Sequence, residues 1–513
     1  MVSNSSSFSF DLKTHATDYL PDALAADTLR GLIHQQDEQL SCLDDEIAQL
    51  RVRLHVLEEQ RAELAKFRDL HRAFLAPIRK LAPEILGEVF IQCVLDAWNG
   101  PFENGWHAHG WPAFPSVVRL SLRRVCQRWE RIAIGTPGVW TVLRFDATQW
   151  QPYDHVQMCL DNSGCLPIQV RLDYCNYIGS VEIRPLLDNF HRVQEIKGYI
   201  FPLMEEILRQ RLILPTPLLN VAHLVAEGPP RFSEEERFRL QDIIQAPPIE
   251  SLHLKGCASL FPVFCRKPDK LQHLKVDLDR HLYIPALLDI LPFSSSLRSL
   301  DLQLPTEMVA IGEDVPMIIL PHLRSLRVKG RRSHICELLA VLDVPSLDCL
   351  TLVCFGGPEG TPWIPIQSFL QGDPPPLRSL TLEHVSLEHG FVDFISRLFH
   401  LEYLRLDMCH ITAEHLEVFI LDSHVPHDNI VCPRLATLSL DETTLPGDIL
   451  VQVVQSRAPL SGIPWEHRCL RTVEARCLDL GDHGVALEDI REACGGCLAL
   501  YLCPCCSWND DDE

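Results

Sequence analysis

Cys494 and Cys497 stand two residues apart across Gly495-Gly496, and Cys503, Cys505 and Cys506 follow closely. Thiolates at such spacing suggest a zinc site, which takes four sulfur or imidazole ligands in a tetrahedron. The glycine pair suits the tight turn of one metal knuckle, but the second group follows sooner than in ordinary paired knuckles. The expectation is free thiols in a terminal segment, with no metal. His107 and His109 form another candidate pair, but no third ligand lies nearby and they read as solvated loop residues. The chain carries no phosphate-cradling glycine loop, no Gly-x-Ser-x-Gly elbow and no His-Glu-x-x-His pair. A non-catalytic protein with no cofactor is therefore expected.

Bulk properties narrow the class further. The chain has 513 residues, 46% of them hydrophobic, and a formal net charge of −23. Phosphate binding wants an excess of Lys and Arg, so nucleic acid is not an expected partner. An anionic membrane surface is disfavoured on the same ground. Met1–Phe10 is Ser-rich, without the basic and apolar regions of a signal peptide, and no stretch reads as a transmembrane helix. A cytoplasmic or nuclear protein is expected. Its 20 cysteines are then mostly small buried hydrophobes.

The largest organised part is a repeat. Leu-x-x-Leu-x-Leu recurs at Ile249-Leu252-Leu254, Leu271-Leu274-Val276, Leu297-Leu300-Leu302 and Leu323-Leu326-Val328. It continues at Leu347-Leu350-Leu352, Leu377-Leu380-Leu382, Leu401-Leu404-Leu406 and Leu435-Leu438-Leu440, with a degraded copy at Leu470-Val473-Ala475. Successive starts fall about 22–35 residues apart, inside or just beyond the period of leucine-rich repeats. Each Leu-x-Leu reads as a short strand with alternate residues inward, and stacked strands make a parallel sheet. Helical or irregular returns, such as Ile284–Leu291 and Phe391–Leu398, join them.

The middle residue of each strand then points away from the core. The row runs His253, Lys275, Asp301, Arg327, Thr351, Thr381, Arg405 and Ser439. Lys275, Asp301, Arg327 and Arg405 are the expected contacts to a protein target. Mixed signs favour a surface or peptide of patterned charge. Cys257 and Cys409 fall in the turn after their strands, where a buried thiol fits.

Ahead of the repeats lies a helical arm. Between Gly31 and Pro77 there is neither Gly nor Pro. Leu40, Leu43, Ile47, Leu50, Leu54, Leu57 and Leu64 alternate in steps of three and four, the a/d seam of a coiled coil. Leu29 and Ile33 extend it backwards, with Gln36 as a polar d position; Arg61 interrupts it at a, and the stripe then shifts to Phe67, Leu70 and Phe74. Glu46 and Arg53 fall at g, and Arg51 and Glu58 at e, so a parallel homodimer would pair Glu46 with Arg51 and Arg53 with Glu58. The other reading is one helix lying back on the protein's own body.

Directly after the arm comes Leu81-Ala82-Pro83-Glu84-Ile85-Leu86-Gly87-Glu88-Val89-Phe90. Pro83 suits a first helical turn, Glu84 complements the positive helix terminus, and Ile85, Leu86, Val89 and Phe90 share one face. A second helical segment holds Leu122, Val125, Cys126, Trp129, Ile132 and Ala133, and Pro137-Gly138-Val139-Trp140 turns the chain away.

These two blocks resemble the F-box, specifically that of basidiomycete fungal F-box proteins. Leu81, Glu84, Ile85, Leu86, Val89 and Phe90 match the first block, and Val125, Cys126, Trp129, Ala133, Pro137 and Trp140 match the second. The family's proline position holds Ala82, with Pro83 one residue later. The blocks are separated by an extra Trp-rich segment that includes Trp98, Trp106 and Trp111. The resemblance implies a three-helix unit that binds a Skp-type adaptor, and through it the cullin and RING subunits of a ubiquitin ligase. It assigns adaptor contact to Leu81, Pro83, Ile85, Leu86, Val89, Phe90, Val125 and Trp129.

The expected fold is α plus an α/β solenoid: a long N-terminal coiled-coil helix, a three-helix F-box-like unit and an irregular leucine-rich-repeat solenoid with a parallel sheet. The expected divisions are a disordered 1–28, a helix over 29–76, the F-box-like domain over 80–141 with an inserted loop at about 97–115, the solenoid over 190–490 and a Cys-rich acidic tail over 491–513. The implied role is the substrate-recognition subunit of an SCF-type ubiquitin ligase holding an unknown target. The alternative is an interaction scaffold whose F-box-like unit no longer binds the adaptor.

Overall fold

The computed structural model describes residues 23–99, 115–145, 153–172, 180–210, 213–225, 232–245, 247–266, 268–277, 284–305, 315–355, 375–385, 387, 390–409, 411–421, 430–441, 447–457, 470–476 and 499–502. The chain divides into two compact units, Met1–Leu86 and Gly87–Glu513. The division falls later than the expected break between 76 and 80.

The first unit is dominated by helix α1, Ala23–Leu75, of 53 residues. At 1.5 Å per residue it is about 80 Å long. It begins inside the 1–28 segment expected to be disordered. Good helix formers with only Gly31 to weaken them explain its continuity. Its apolar seam is bare: Leu40, Leu43, Ile47, Leu50, Leu54, Leu57 and Leu64 are all exposed. A single 3-10 turn, Pro77–Lys80, follows, with the Arg79 guanidinium 4.7 Å above the Phe74 ring.

Helix α2 runs Pro83–Asn99 with Pro83 in its first turn and Glu84 beside it. Helices α3, Pro115–Val125, and α4, Gln127–Ile134, follow. The second helical segment is thus split: Cys126, at φ −167°, is extended and starts α4 afresh. The expected inserted loop is also shorter than 97–115, because α2 continues to Asn99 and carries Trp98 on its buried face.

The rest of the second unit is a parallel sheet. Its strands are β1 (Val142–Phe145), β2 (Ile168–Leu172), β3 (Val193–Tyr199), β4 (Val221–Val225), β5 (Ser251–Lys255), β6 (His273–Asp277) and β7 (Ser299–Gln303). After the short β8 (Ile318–Ile319) come β9 (Ser325–Gly330), the short β10 (Leu342–Asp343), β11 (Cys349–Cys354), β12 (Ser379–Glu383), β13 (Tyr403–Asp407), β14 (Thr437–Asp441), β15 (Thr472–Arg476) and β16 (Ala499–Leu502). Among the described residues, fourteen of these form one open sheet in chain order, and β8 pairs with β10 apart from it. Among the described residues the sheet does not close into a barrel. Every pairing is parallel, so each return must carry the chain back to the same end.

The periodicity explains the order. The inward Leu-x-Leu residues, from Leu252 and Leu254 through Leu438 and Leu440, are all buried, as is the first leucine of every copy. Before each main strand from β5 to β15 the register is pinned by one carbonyl that accepts from two successive N–H groups. Gln272 and His273 both donate to Glu250 O, Arg298 and Ser299 to Gln272 O, and the pattern repeats as far as Arg471 and Thr472 on Ala436 O.

A left-handed residue follows three strands at the same register position: Gly256 at φ 66°, His384 at 56° and Met408 at 49°. It turns the chain into its return. The next residue can be a buried cysteine. Cys257 Sγ donates to Leu224 O at 3.3 Å and Cys409 Sγ to Leu382 O at 3.4 Å, tying each turn to the preceding strand.

The sheet exceeds the expected 190–490 at both ends. It starts at Val142, and Ala499–Leu502, expected to be tail, pairs with β15. At the near end Gly198 has a reason to be glycine: at φ 108°, an added Cβ would sit 1.8 Å from Leu172 O. No described helix is long and apolar enough to cross a membrane.

Candidate functional site

On α2, Leu86, Phe90, Val94 and Trp98 recur every fourth residue and form a buried stripe. Phe90 meets Trp129 of α4, ring centroids 4.9 Å apart at 52°. Arg123 and Glu130 pair at 3.1 Å between α3 and α4. Trp140 Nε1 donates to Ala133 O at 2.7 Å, holding the turn after α4.

Two arginines bind this helical part to the sheet. Arg119 of α3 is buried; its Nε donates to Val139 O at 2.8 Å and its Nη2 to Val142 O, at the start of β1. Burial lowers its pKa, with a smaller opposing effect of Cys159. Arg171 of β2 donates to Trp98 O at 2.8 Å, a cation on the last turn of α2.

The residues assigned to adaptor contact therefore separate. Leu86 and Phe90 are 0% exposed and belong to the protein's own core, so they are corrected from contact residues to supports. Leu81 is half-buried and Pro83 exposed, and Trp129, half-buried, is occupied by Phe90. Ile85 and Val89, one turn apart on α2, are 54% and 40% exposed, and Val125 is 57% exposed at the end of α3. Val117 and Leu120 on the outer side of α3 are exposed too, though neither stood out in the sequence. Bare aliphatic side chains flanked by the exposed Glu84 and Glu88 can do one thing chemically: lose water against an apolar partner.

The chain matches no known family model and no curated protein.

The second surface is the outward row of the sheet. Strand pairing aligns Arg144, Arg171, Lys197, His223, His253, Lys275 and Asp301, then Arg327, Thr351, Thr381, Arg405, Ser439, Glu474 and Tyr501. All eight row residues expected from His253 to Ser439 lie in register, and the row extends beyond both ends. Ser439 departs in one respect: it is buried rather than outward-exposed.

The four charged contacts expected for a target carry compensating neighbours. Lys275 Nζ is 3.5 Å from Asp301, and Arg405 Nη2 donates to Asp407 at 2.9 Å. Arg327 reaches past β11 to Glu383 of β12 at 3.9 Å, which the short Thr351 between them permits. The buried Nε of Arg327 has no hydrogen-bond partner among the described residues.

Toward β4 the row is a histidine pair. His223 and His253 have ring centroids 5.7 Å apart at 71°. Burial, then Lys197 and His253, lower the His223 pKa to about 4, against a smaller raising effect of Glu195. The ring is neutral at neutral pH. Beside the row, burial raises the Asp277 carboxyl, partly offset by Lys275.

Among the described residues, no three His, Cys, Asp or Glu side chains gather to hold a metal ion. Cys494, Cys497, Cys503, Cys505, Cys506, His107 and His109 lie outside the described residues. Sequence reasoning missed the buried arginines: Arg119, Arg171, Arg192 and Arg457. Arg457 donates to Phe419 O, Cys432 O and Val431 O at 2.6, 2.9 and 2.6 Å. An arginine between apolar residues reads as solvated, and no local signal marks the carbonyls it will meet.

Proposed function

We propose that this chain is an F-box protein, the substrate-recognition subunit of an SCF-type cullin-RING ubiquitin ligase. One observation carries the reading. The helix bearing the F-box-like block keeps Ile85 and Val89 bare, although Leu86 and Phe90 between and beside them are buried. An exposed aliphatic pair on a helix with a fully occupied opposite face is a surface kept for a partner. The Skp-type adaptor is the partner that the residues of this block imply.

The sheet is the finer half of the proposal. Short parallel strands following one another in chain order, with one aligned outward row, support a leucine-rich-repeat solenoid. Its outward row would hold the target protein, with Arg327, Lys275, Asp301 and Arg405 as the charged contacts. The chain would then act by raising the concentration of target lysines near a ubiquitin-loaded enzyme supplied by other subunits. A cytoplasmic or nuclear location fits that role.

The test is co-purification of the full chain with a Skp-type adaptor. Ile85→Asp with Val89→Asp should abolish the complex, because carboxylates would be buried unpaired in an apolar contact. The melting temperature should hold, since both side chains are exposed. Retention of the adaptor by this folded double variant would refute the assigned surface. For the sheet, Lys275→Glu, Arg327→Glu and Arg405→Glu together should reduce the set of proteins crosslinked in cells, normalised to adaptor-bound chain. An unchanged set would move target binding off the row.

A further inference from the structure

We propose that α1 pairs with α1 of a second copy, and that the two helices run antiparallel. This goes beyond adaptor and target binding and does not depend on either.

The helix offers an unoccupied seam over most of its length. Leu40, Ile47, Leu54 and Leu57 are each about half exposed or more. A seam at 3.5-residue spacing matches a second helix better than it matches a flat surface. The helix bounds and the polar interruptions then choose the direction.

In a parallel pair each seam residue faces its own copy. Arg61 would face Arg61 inside the seam, two like charges in the least solvated place. In an antiparallel pair an a position faces a d position instead. Setting Ile47 against Leu50 of the second copy places Leu40 on Leu57, Leu54 on Leu43 and Ile33 on Leu64. The same setting puts Arg61 against Gln36, so the two polar interruptions meet each other.

The flanks agree. Antiparallel helices bring g to g and e to e. Glu46 then meets Arg53 of the second copy, and Asp44 meets Arg51, each twice by symmetry. Leu32 meets Phe67, which gives the exposed Phe67 an apolar neighbour. Asp37 against Glu58 is the one like-charge contact. The axis of this pairing lies between residues 48 and 49, and Gln49 is the midpoint of Ala23–Leu75. The two helices therefore overlap along their whole length. Pairings shifted by one heptad set Arg53 against Arg53 or Glu46 against Glu46.

Two charge exchanges separate the directions in the full chain. Ion pairs within α1 run between other residues, Arg30–Asp27, His34–Glu38, His55–Glu59 and Arg68–Asp69, so neither exchange disturbs them. Glu46→Lys with Arg53→Glu preserves the antiparallel pair with its signs reversed, and makes both parallel pairs repulsive. Glu46→Lys with Arg51→Glu does the opposite.

The measurement is the dimer dissociation constant of the full chain, by light scattering over a dilution series. The first exchange should leave it nearly unchanged, and the second should raise it roughly tenfold, four flank contacts having reversed sign. The reverse pattern would establish the parallel dimer and overturn the proposal. A wild-type chain that stays monomeric at tens of micromolar would overturn it as well. Ile47→Asp with Leu50→Asp should give monomer while the unfolding transition of the second unit stays in place.

Discussion

Trp129 and Phe90 meet ring to ring, centroids 4.9 Å apart, and this contact joins α2 to α4. The two residues come from separate sequence blocks, one on each side of residues 100–114. The contact makes Phe90 a structural residue and leaves Val89, its neighbour in sequence, facing out.

Phe90→Ala should therefore destabilise the second unit by about 3–5 kcal/mol, the range for removing a large buried aromatic. Val89→Ala, at an exposed position, should change stability by no more than about 0.5 kcal/mol. Urea unfolding followed by tryptophan fluorescence measures both. Equal effects of the two would mean that α2 is not seated on its Phe90 face.

Arg119→Met should cost about 2 kcal/mol or more, because the carbonyls of Val139 and Val142 lose their donor in a buried place. Arg119→Lys should recover little, since one ammonium on a flexible stem lacks the guanidinium fork that spans both carbonyls. Full recovery by lysine would show that charge alone matters at this position.

His223 should make stability depend on pH in a defined window. Its folded value, about 4, lies below the ordinary 6.5, so the unfolded chain takes up the proton first as pH falls. The stability tied to the neutral ring is complete above pH 6.5 and is lost as pH drops from there toward 4. Lys197, His253, Lys275 and Glu195 surround it, so the comparison must be with a single substitution. Between pH 7.5 and pH 5 the urea midpoint should fall further in wild type than in His223→Gln. Parallel curves would remove His223 as the cause.

Thiol reactivity should divide by burial. Burial pushes Cys257, Cys409 and Cys432 up to about 12, so they should resist iodoacetamide in the folded protein. Cys42, Cys93 and Cys165 are exposed and should alkylate within the same exposure time. Peptide mass spectrometry reads the two sets, and denaturant should abolish the difference. Fast labelling of Cys257 in native protein would contradict its place beneath the strand turn.

The sheet was legible because its signal repeats. Leu252-x-Leu254 alone could be a piece of a buried helix, but many copies of the full Leu-x-x-Leu-x-Leu pattern read as stacked strands. β1 and β2 escaped because Leu143-Arg144-Phe145 and Val170-Arg171-Leu172 alternate correctly but carry Trp140 and Pro167 where the repeat has its leading leucine. At the other end, Leu500-Tyr501-Leu502 carried the pattern inside a run of cysteines whose metal spacing drew the eye.

The helical surface was half legible. An apolar stripe says that a face is covered and not by what. Ile85, Leu86, Val89 and Phe90 read as one face, yet the every-fourth-residue series Leu86, Phe90, Val94, Trp98 was the one the fold buried. Extending the count beyond Phe90 would have separated the two rows. The split at Cys126 had no comparable cue, since Val125 and Gln127 are ordinary helical residues and only the extended Cys126 backbone marks it.

The returns between strands differ widely in length, yet every outward residue from Arg144 to Tyr501 keeps its place in one row. Strand spacing is fixed by backbone hydrogen bonds at about 4.8 Å, whatever the return contains. Length changes in a return therefore need not displace the row, which β2 and β3 keep even though their pairing shifts between Ile168 and Gln169. Such a chain can drift through insertions and deletions without losing its order of contacts, and can gain or lose whole units with only local rearrangement. Under the proposed target-binding role, recognition would diversify by point substitution in the row, one strand at a time.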